Sequence, residues 1–169
     1  MFCASLRLFS RRMSRLTLLL VCTLAFLALA PVTSHAQRGK AVDSDPESRP
    51  AFSDFRGVRI GMHNDEARKK LGNPRDKSEE QDFYVFNDTQ AVQVFYDKSG
   101  AVTAISIDYM HGATGIPSAR EVLGTDADTK PDGSVYKMMR YPKAGYWVSY
   151  SRTAGSSPTT TITIQKIEH

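Results

Sequence analysis

Both cysteines of the chain, Cys3 and Cys22, fall within the first 36 residues, so everything from Gln37 onward has none. Thiol nucleophiles, cysteine-ligated metals and disulfide staples are thereby excluded from that stretch. Histidine is equally scarce. Beyond residue 36 only His63, His111 and His169 remain, and none stands beside a second histidine or a carboxylate at metal-ligand spacing. The sequence also lacks a nucleophile elbow, a zinc-protease helix and a phosphate-binding glycine loop. Its longest apolar run, Leu16 to Ala30, falls short of the roughly twenty residues that cross a bilayer. No catalytic residue, metal site or cofactor is therefore expected, and the chain reads as a non-enzyme.

The absence of acid from the N-terminus is informative in another way. Arg7, Arg11, Arg12 and Arg15 precede the apolar run with no acidic residue among them, and Ser34-His35-Ala36 closes it with small residues at the cleavage positions. This is the order of a secretory signal peptide, cleaved after Ala36. A twin-arginine signal fits poorly, because Ser14 and Arg15 stand where apolar residues belong. Lipidation of Cys22 fits poorly too, since Val21 precedes it and the apolar run would be cut in half. The chain has 22 Lys and Arg against 18 Asp and Glu, and four of the arginines lie in this segment. The remainder balances at 18 against 18, which removes the electrostatic case for a nucleic-acid partner. The expected product is periplasmic or secreted, without a stable membrane anchor.

Residues 37–50, QRGKAVDSDPESRP, are polar and proline-containing, so they are expected to form a flexible leader. Residues 51–169 are expected to form one domain of two repeats, about 55–109 and 115–167. Ala67-Arg68-Lys69-Lys70-Leu71-Gly72 returns as Ala119-Arg120-Glu121-Val122-Leu123-Gly124, and the same offset of 52 pairs Tyr84 with Tyr136. In the first half, His63 or Asn64 caps a short helix. Acids open it, lysines close it, and Gly72 and Pro74 stop it. Three strand-like runs follow, at 83–86, 91–96 and 102–109, the last two joined by the tight turn Asp97-Lys98-Ser99-Gly100. The second half repeats the order, with a helix near 118–123 and strands at 135–141, 145–150 and 160–167. The predicted fold is α+β: two tandem helix-plus-three-stranded antiparallel meander repeats forming a two-layer sandwich with one sheet face open.

Gly61-Met62, Ala67, Leu71-Gly72-x-Pro74, Tyr84-Val85-Phe86, Val94-Phe95-Tyr96-Asp97, Gly100-x-Val102 and Ile105 together resemble the SmpA/OmlA (BamE-like) domain of bacterial envelope proteins. The doubling resembles the β-lactamase inhibitor proteins, whose tandem units present a concave sheet to a partner. The resemblance covers 55–109 well and 115–167 loosely. It implies a non-catalytic cell-envelope module that binds another envelope or secreted protein, related to outer-membrane assembly or maintenance. The lipid-bearing cysteine of the first family and the disulfides of the second are missing here.

Among residues that could carry binding, an aromatic and cationic group stands out: Tyr136, Tyr141, Tyr146, Trp147 and Tyr150, interleaved with Arg140 and Lys143. Strand alternation puts Tyr146, Val148 and Tyr150 on one face and Trp147 and Ser149 on the other, so one set is core and the other a patch of interface type. Asp126, Asp128 and Asp132 make no complete calcium loop, because Lys130 and Lys137 occupy ligand positions; they read as a solvated turn. Asn87-Asp88-Thr89 matches a glycosylation triplet and reads as a turn. Two further readings of the aromatic face are inhibition of a secreted enzyme and binding of a small ligand or glycan.

Overall fold

Helix capping and strand alternation lay out the elements. A computed structural model describes residues 42–43 and 50–168; the expected signal peptide, most of the leader and His169 lie outside the described residues. Helix α1, Asn64–Leu71, begins where the His63 imidazole accepts from the Asp65 N–H and ends at Gly72, which has φ 88°. Helix α2, Ala119–Leu123, opens on a capping box in which Ser118 and Glu121 satisfy each other's N–H groups, and closes at Gly124. Both are short, so packing of a single apolar stripe holds them in place: Ala67 and Leu71 in α1, Val122 and Leu123 in α2 are buried.

The strands are β1 (Val42–Asp43), β2 (Asp76–Lys77), β3 (Gln81–Asn87), β4 (Gln90–Tyr96), β5 (Val102–Tyr109), β6 (Val135–Tyr141), β7 (Tyr146–Arg152) and β8 (Thr160–Lys166). They form one sheet in the order β1-β6-β7-β8-β5-β4-β3-β2. Seven strands are antiparallel to their neighbours, and β1 joins β6 in parallel. The fold is α+β. The six longer strands match the expected runs within a few residues. β5 and β8 meet at the centre of the sheet, with Ile105 opposite Ile164 and Ile107 opposite Ile162.

Two elements were not legible. β1 comes from the leader expected to stay unpaired, and β2 is a two-residue flap on β3. Both are sheet edges, where backbone N–H and C=O groups accept an extended segment whatever its side chains.

One face of the sheet is the core. Val92, Val94, Ile105, Ile107, Ile162, Ile164 and Val148 are fully buried there, together with Ala67, Leu71, Val122 and Leu123 from the helices. Alternation along each strand then sends the intervening residues to the opposite face.

Candidate functional site

Cross-strand register assembles that opposite face in rows. One row runs Phe83, Gln93, Ser106, Thr163, Ser149, Met138; the next runs Phe95, Ala104, Gln165, Trp147, Arg140. A third runs Val85, Ala91, Asp108, Thr161, Ser151, Tyr136. The middles of the rows carry mostly small or hydroxyl-bearing side chains, with Asp108 and Gln165 among them, and larger ones stand towards the ends. The result is a trough with aromatic walls. From β4 to β7 it spans three strand spacings, about 14 Å.

The floor is internally tied. Thr161 Oγ1 donates to Asp108 Oδ1 at 2.6 Å, and Ser106 and Thr163 hydroxyls face each other at 3.5 Å. A depression of about 400 Å³ lies between Phe95 and Gln165, over Ala104, Ser106 and Thr163. A second, of about 280 Å³, lies beyond Gln165, against Met138, Arg140 and Trp147. Ala104 and Ser106 leave the floor low because they are small. Only Asp108 and Arg140 bring charge to the three rows, so what the face offers is shape, apolar surface and neutral hydrogen-bonding groups. Val85, at 43 % exposure, and Tyr136, at 52 %, are among the most exposed large apolar side chains of the described residues.

The expected aromatic group is divided by this geometry. Tyr141, Tyr146 and Tyr150 are buried on the core face, so these three are corrected from surface contacts to core side chains. Tyr141 and Tyr146 rings pack 6.1 Å apart, and burial pushes the Tyr141 phenol up. The physical reason is parity, because one residue along a strand exchanges core for surface. Trp147, Tyr136 and Arg140 stand on the trough side, and Lys143 is exposed on the turn Pro142–Ala144. Sequence reasoning missed the other wall, Phe83 and Phe95. Their alternation against Tyr84, Val94 and Tyr96 was the available signal.

The same parity corrects the pairing of Tyr84 with Tyr136. Tyr84 is 2 % exposed on the core face, whereas Tyr136 lies on the trough face. β3 turns its even-numbered residues, such as Asp82 and Tyr84, to the core, whereas β6 turns its odd-numbered ones, such as Met139 and Tyr141, so an even offset of 52 carries a core tyrosine to the other face.

The most connected polar group of the core is not on the trough. Asp82 is fully buried on β3. Arg68 grips it with Nε at 2.8 Å and Nη2 at 3.1 Å, and donates also to the Ser78 carbonyl. Tyr96 donates to Asp82 at 2.7 Å and Tyr84 at 3.4 Å. Burial alone would raise the carboxyl's pKa, but the Arg68 and tyrosine hydrogen bonds outweigh it and hold it below the usual range. Burial, reinforced by the charge on Asp82, pushes the Tyr84 phenol up to about 12 and Tyr96 further. Every member is committed to another, so the network clamps α1 to the sheet rather than offering a reactive group.

A hollow of about 810 Å³ lies beside the start of α1 and the β4–β5 turn. It carries His63, Glu79, Glu80 and Asp97, but Asp97 is engaged by Ser99 and Ala101 within the turn. Gly100 (φ 80°) makes that turn against His63 and Asn64. Among the described residues no group of three His, Cys, Asp or Glu side chains is placed to hold a metal ion. Asp126 pairs with Arg120, and Asp132 caps Ser134. Asn87 closes the β3–β4 turn by accepting from Thr89, and His111 is exposed after β5. Among the described residues no helix is long and apolar enough to cross a membrane.

No family model, no curated protein and no solved structure matches the chain.

Proposed function

We propose that this chain is an exported, non-enzymatic binding module of the bacterial envelope, made of two tandem helix-and-meander units, and that it engages another protein through the open face of its sheet. The observation that carries the reading is the trough: a sheet face on which no helix of the described residues packs, with a small hydroxyl-lined floor between Phe83 and Phe95 on one side and Met138, Trp147 and Tyr136 on the other. Aromatic, Met and Arg side chains, in which interface cores are rich, stand towards the ends of the rows, while the floor between them is made of Ser, Ala, Thr and Asp108, residue types such cores use little. The order β6-β7-β8-β5-β4-β3, with one helix before each meander, supports the tandem reading and the BamE-like resemblance. Secretion is supported by the arginine-then-apolar opening of the sequence. Roles in outer-membrane assembly or in inhibition of a secreted enzyme are two versions of the same protein contact.

The test is capture from envelope extract by residues 37–169, comparing wild type with Trp147→Ala, Phe95→Ala and, on exposed α1 surface, Glu66→Ala. A protein held by wild type and Glu66→Ala but released by both trough variants is the expected result. Equal retention by all four forms, or binding of a glycan rather than a protein at the trough, overturns the reading.

A further inference from the structure

Among the described residues Arg56 is the one non-glycine residue with a positive φ, 51°. Gly57 follows at 79°, and Phe55 and Val58 exchange N–H···O bonds of 2.9 Å in both directions. Positive φ at both central residues is the mark of a type I′ turn, and the Asp54 carboxylate locks this one by accepting the Gly57 N–H at 2.8 Å. The first central position of such a turn suits Asn, Asp or Gly. An arginine there carries backbone strain, which directs attention to what its side chain presents.

The Arg56 guanidinium carbon lies 3.9 Å from the centre of the Phe86 ring and 5.3 Å from that of Phe55. Both rings are fixed, since Phe55 is buried and Phe86 packs against the core and stacks on Tyr84. A guanidinium laid on a ring loses water from one face and keeps its N–H donors around the rim. One of these, Nη2, meets Gln90 Oε1 at a long 3.4 Å, and the side chain is otherwise exposed. Arg68 pairs with Asp65 and Asp82, and Arg120 with Asp126, but among the described residues Arg56 pairs with no acid. Lys70 reaches the same turn from the end of α1, its Nζ 3.2 Å from where a Cβ on Gly57 would stand, and it too forms no ion pair among the described residues. Arg56, Arg59 and Lys70 together outweigh Asp54, so the field around the turn is positive.

We infer that Arg56, seated on Phe86 and Phe55 with Lys70 beside its turn, is a recognition site for a carboxylate, either the side chain of an Asp or Glu or the free end of a chain. A planar fork open along its rim matches the two coplanar oxygens of a carboxylate. Phosphate spreads its oxygens tetrahedrally and draws donors from several sides, whereas Phe86 closes one face of this guanidinium. Arg75 and Arg152 are exposed as well, but neither lies over an aromatic ring of the described residues. The site is separate from the trough. Phe86 shares the parity of Asp82 and Tyr84 on β3, so Arg56 lies on the helix-bearing side of the sheet and binds whatever the opposite face does.

The experiment uses isotope-labelled residues 37–169, which contain the whole buried core from Phe55 to Ile164, and follows the Arg56 Nε–H and the Gln90 side-chain amide by NMR. The probes are the blocked peptide acetyl-Gly-Glu-Gly-amide, its Gln counterpart, acetyl-Gly-Gly-Gly with a free C-terminus, and inorganic phosphate. The Glu peptide or the free terminus should shift Arg56 at a concentration at least about 10-fold below that needed for Arg75 and Arg152, and the Gln peptide should not. Whichever carboxylate binds more tightly names the source. Arg56→Lys keeps the charge without the fork, so the Gln90 response should fall to that of an ordinary exposed charge, and Lys70→Ala should weaken binding by about 2- to 5-fold. Arg56→Asn installs Asn-Gly, the pair this turn favours most, so the melting temperature should hold while the Gln90 response is lost. Phosphate binding more tightly than either carboxylate, Arg56 shifting no earlier than Arg75 and Arg152, or Arg56→Lys binding as well as wild type overturns the assignment. A melting temperature that falls in Arg56→Asn, with no carboxylate response in wild type, overturns it too and leaves Arg56 as packing for the turn.

Discussion

The same six-residue motif, Ala-Arg-x-x-Leu-Gly, closes both helices, yet its arginine does opposite things. Arg68 lies over the sheet and forks onto fully buried Asp82 between two tyrosine hydroxyls. Arg120 reaches Asp126 with both side chains largely in water. The local sequence is shared, but α1 has an acid on the core face of its following strand and α2 does not, so the first is a buried clamp and the second a surface pair. The lesson is that an ion pair's worth is set by what surrounds it: desolvation makes a half-broken buried pair costly, while water screens an exposed one.

Removing one side of each pair is the sharpest way to break this comparison. Arg68→Met should lower unfolding stability by about 3–5 kcal/mol, because it strands a buried carboxylate and the Ser78 carbonyl; urea titration measures it. Arg120→Met should leave the urea midpoint unchanged within error. A similar loss in both would show that the motif, not its environment, carries the energy.

A core aromatic and a trough aromatic on one strand differ in the same way. Tyr150→Ala should cost about 3–5 kcal/mol, the range for a buried aromatic. Trp147→Ala, half-buried on the trough, should cost clearly less and act mainly on partner capture. Tyr96→Phe removes a hydrogen bond to a buried charge and should cost about 1.5–3 kcal/mol; Tyr84→Phe, whose bond is longer, should cost less.

Acid should find the clamp first. The folded pKa of Asp82 lies below its unfolded value, so its contribution is complete above about pH 4, the ordinary Asp range, and is lost as pH falls through the folded value. Wild type should therefore lose stability below pH 4 more steeply than Arg68→Met, and guanidinium titrations between pH 2 and 7 would show it. The helix ends give the smallest contrast. Gly72 has φ 88° and ψ −159°, a region almost closed to other residues, while Gly124 has φ 73° and ψ 2°. Gly72→Ala should cost about 1–3 kcal/mol and Gly124→Ala about 1 kcal/mol, each read as a shift in melting temperature.

Much of this architecture was legible in the residues alone. The cap at His63 or Asn64, the glycine stop at Gly72 and the alternation in Thr161-Ile162-Thr163-Ile164 all act within a few residues, so they predict helix and strand directly. The site was legible in part. Trp147, Arg140 and Tyr136 were picked out, but so were three core tyrosines, because alternation separates two faces without saying which one the helices cover. Phe83 and Phe95 escaped notice because each sits beside a core tyrosine and looks no different from it.

The chain's sequence by itself determined the element order, the capping and turn chemistry, the near-neutral charge beyond residue 36 and the absence of thiol chemistry there. These follow from side-chain identity and short-range geometry. Tertiary structure decided which strands are neighbours, and so that β5 and β8 join the two meanders. It also placed Asp82 under Arg68, turned Tyr84 inward and Tyr136 outward, and brought Val42 and Asp43 to the edge of β6. These depend on strand register and on pairing between distant segments, where one residue of slip reverses a face.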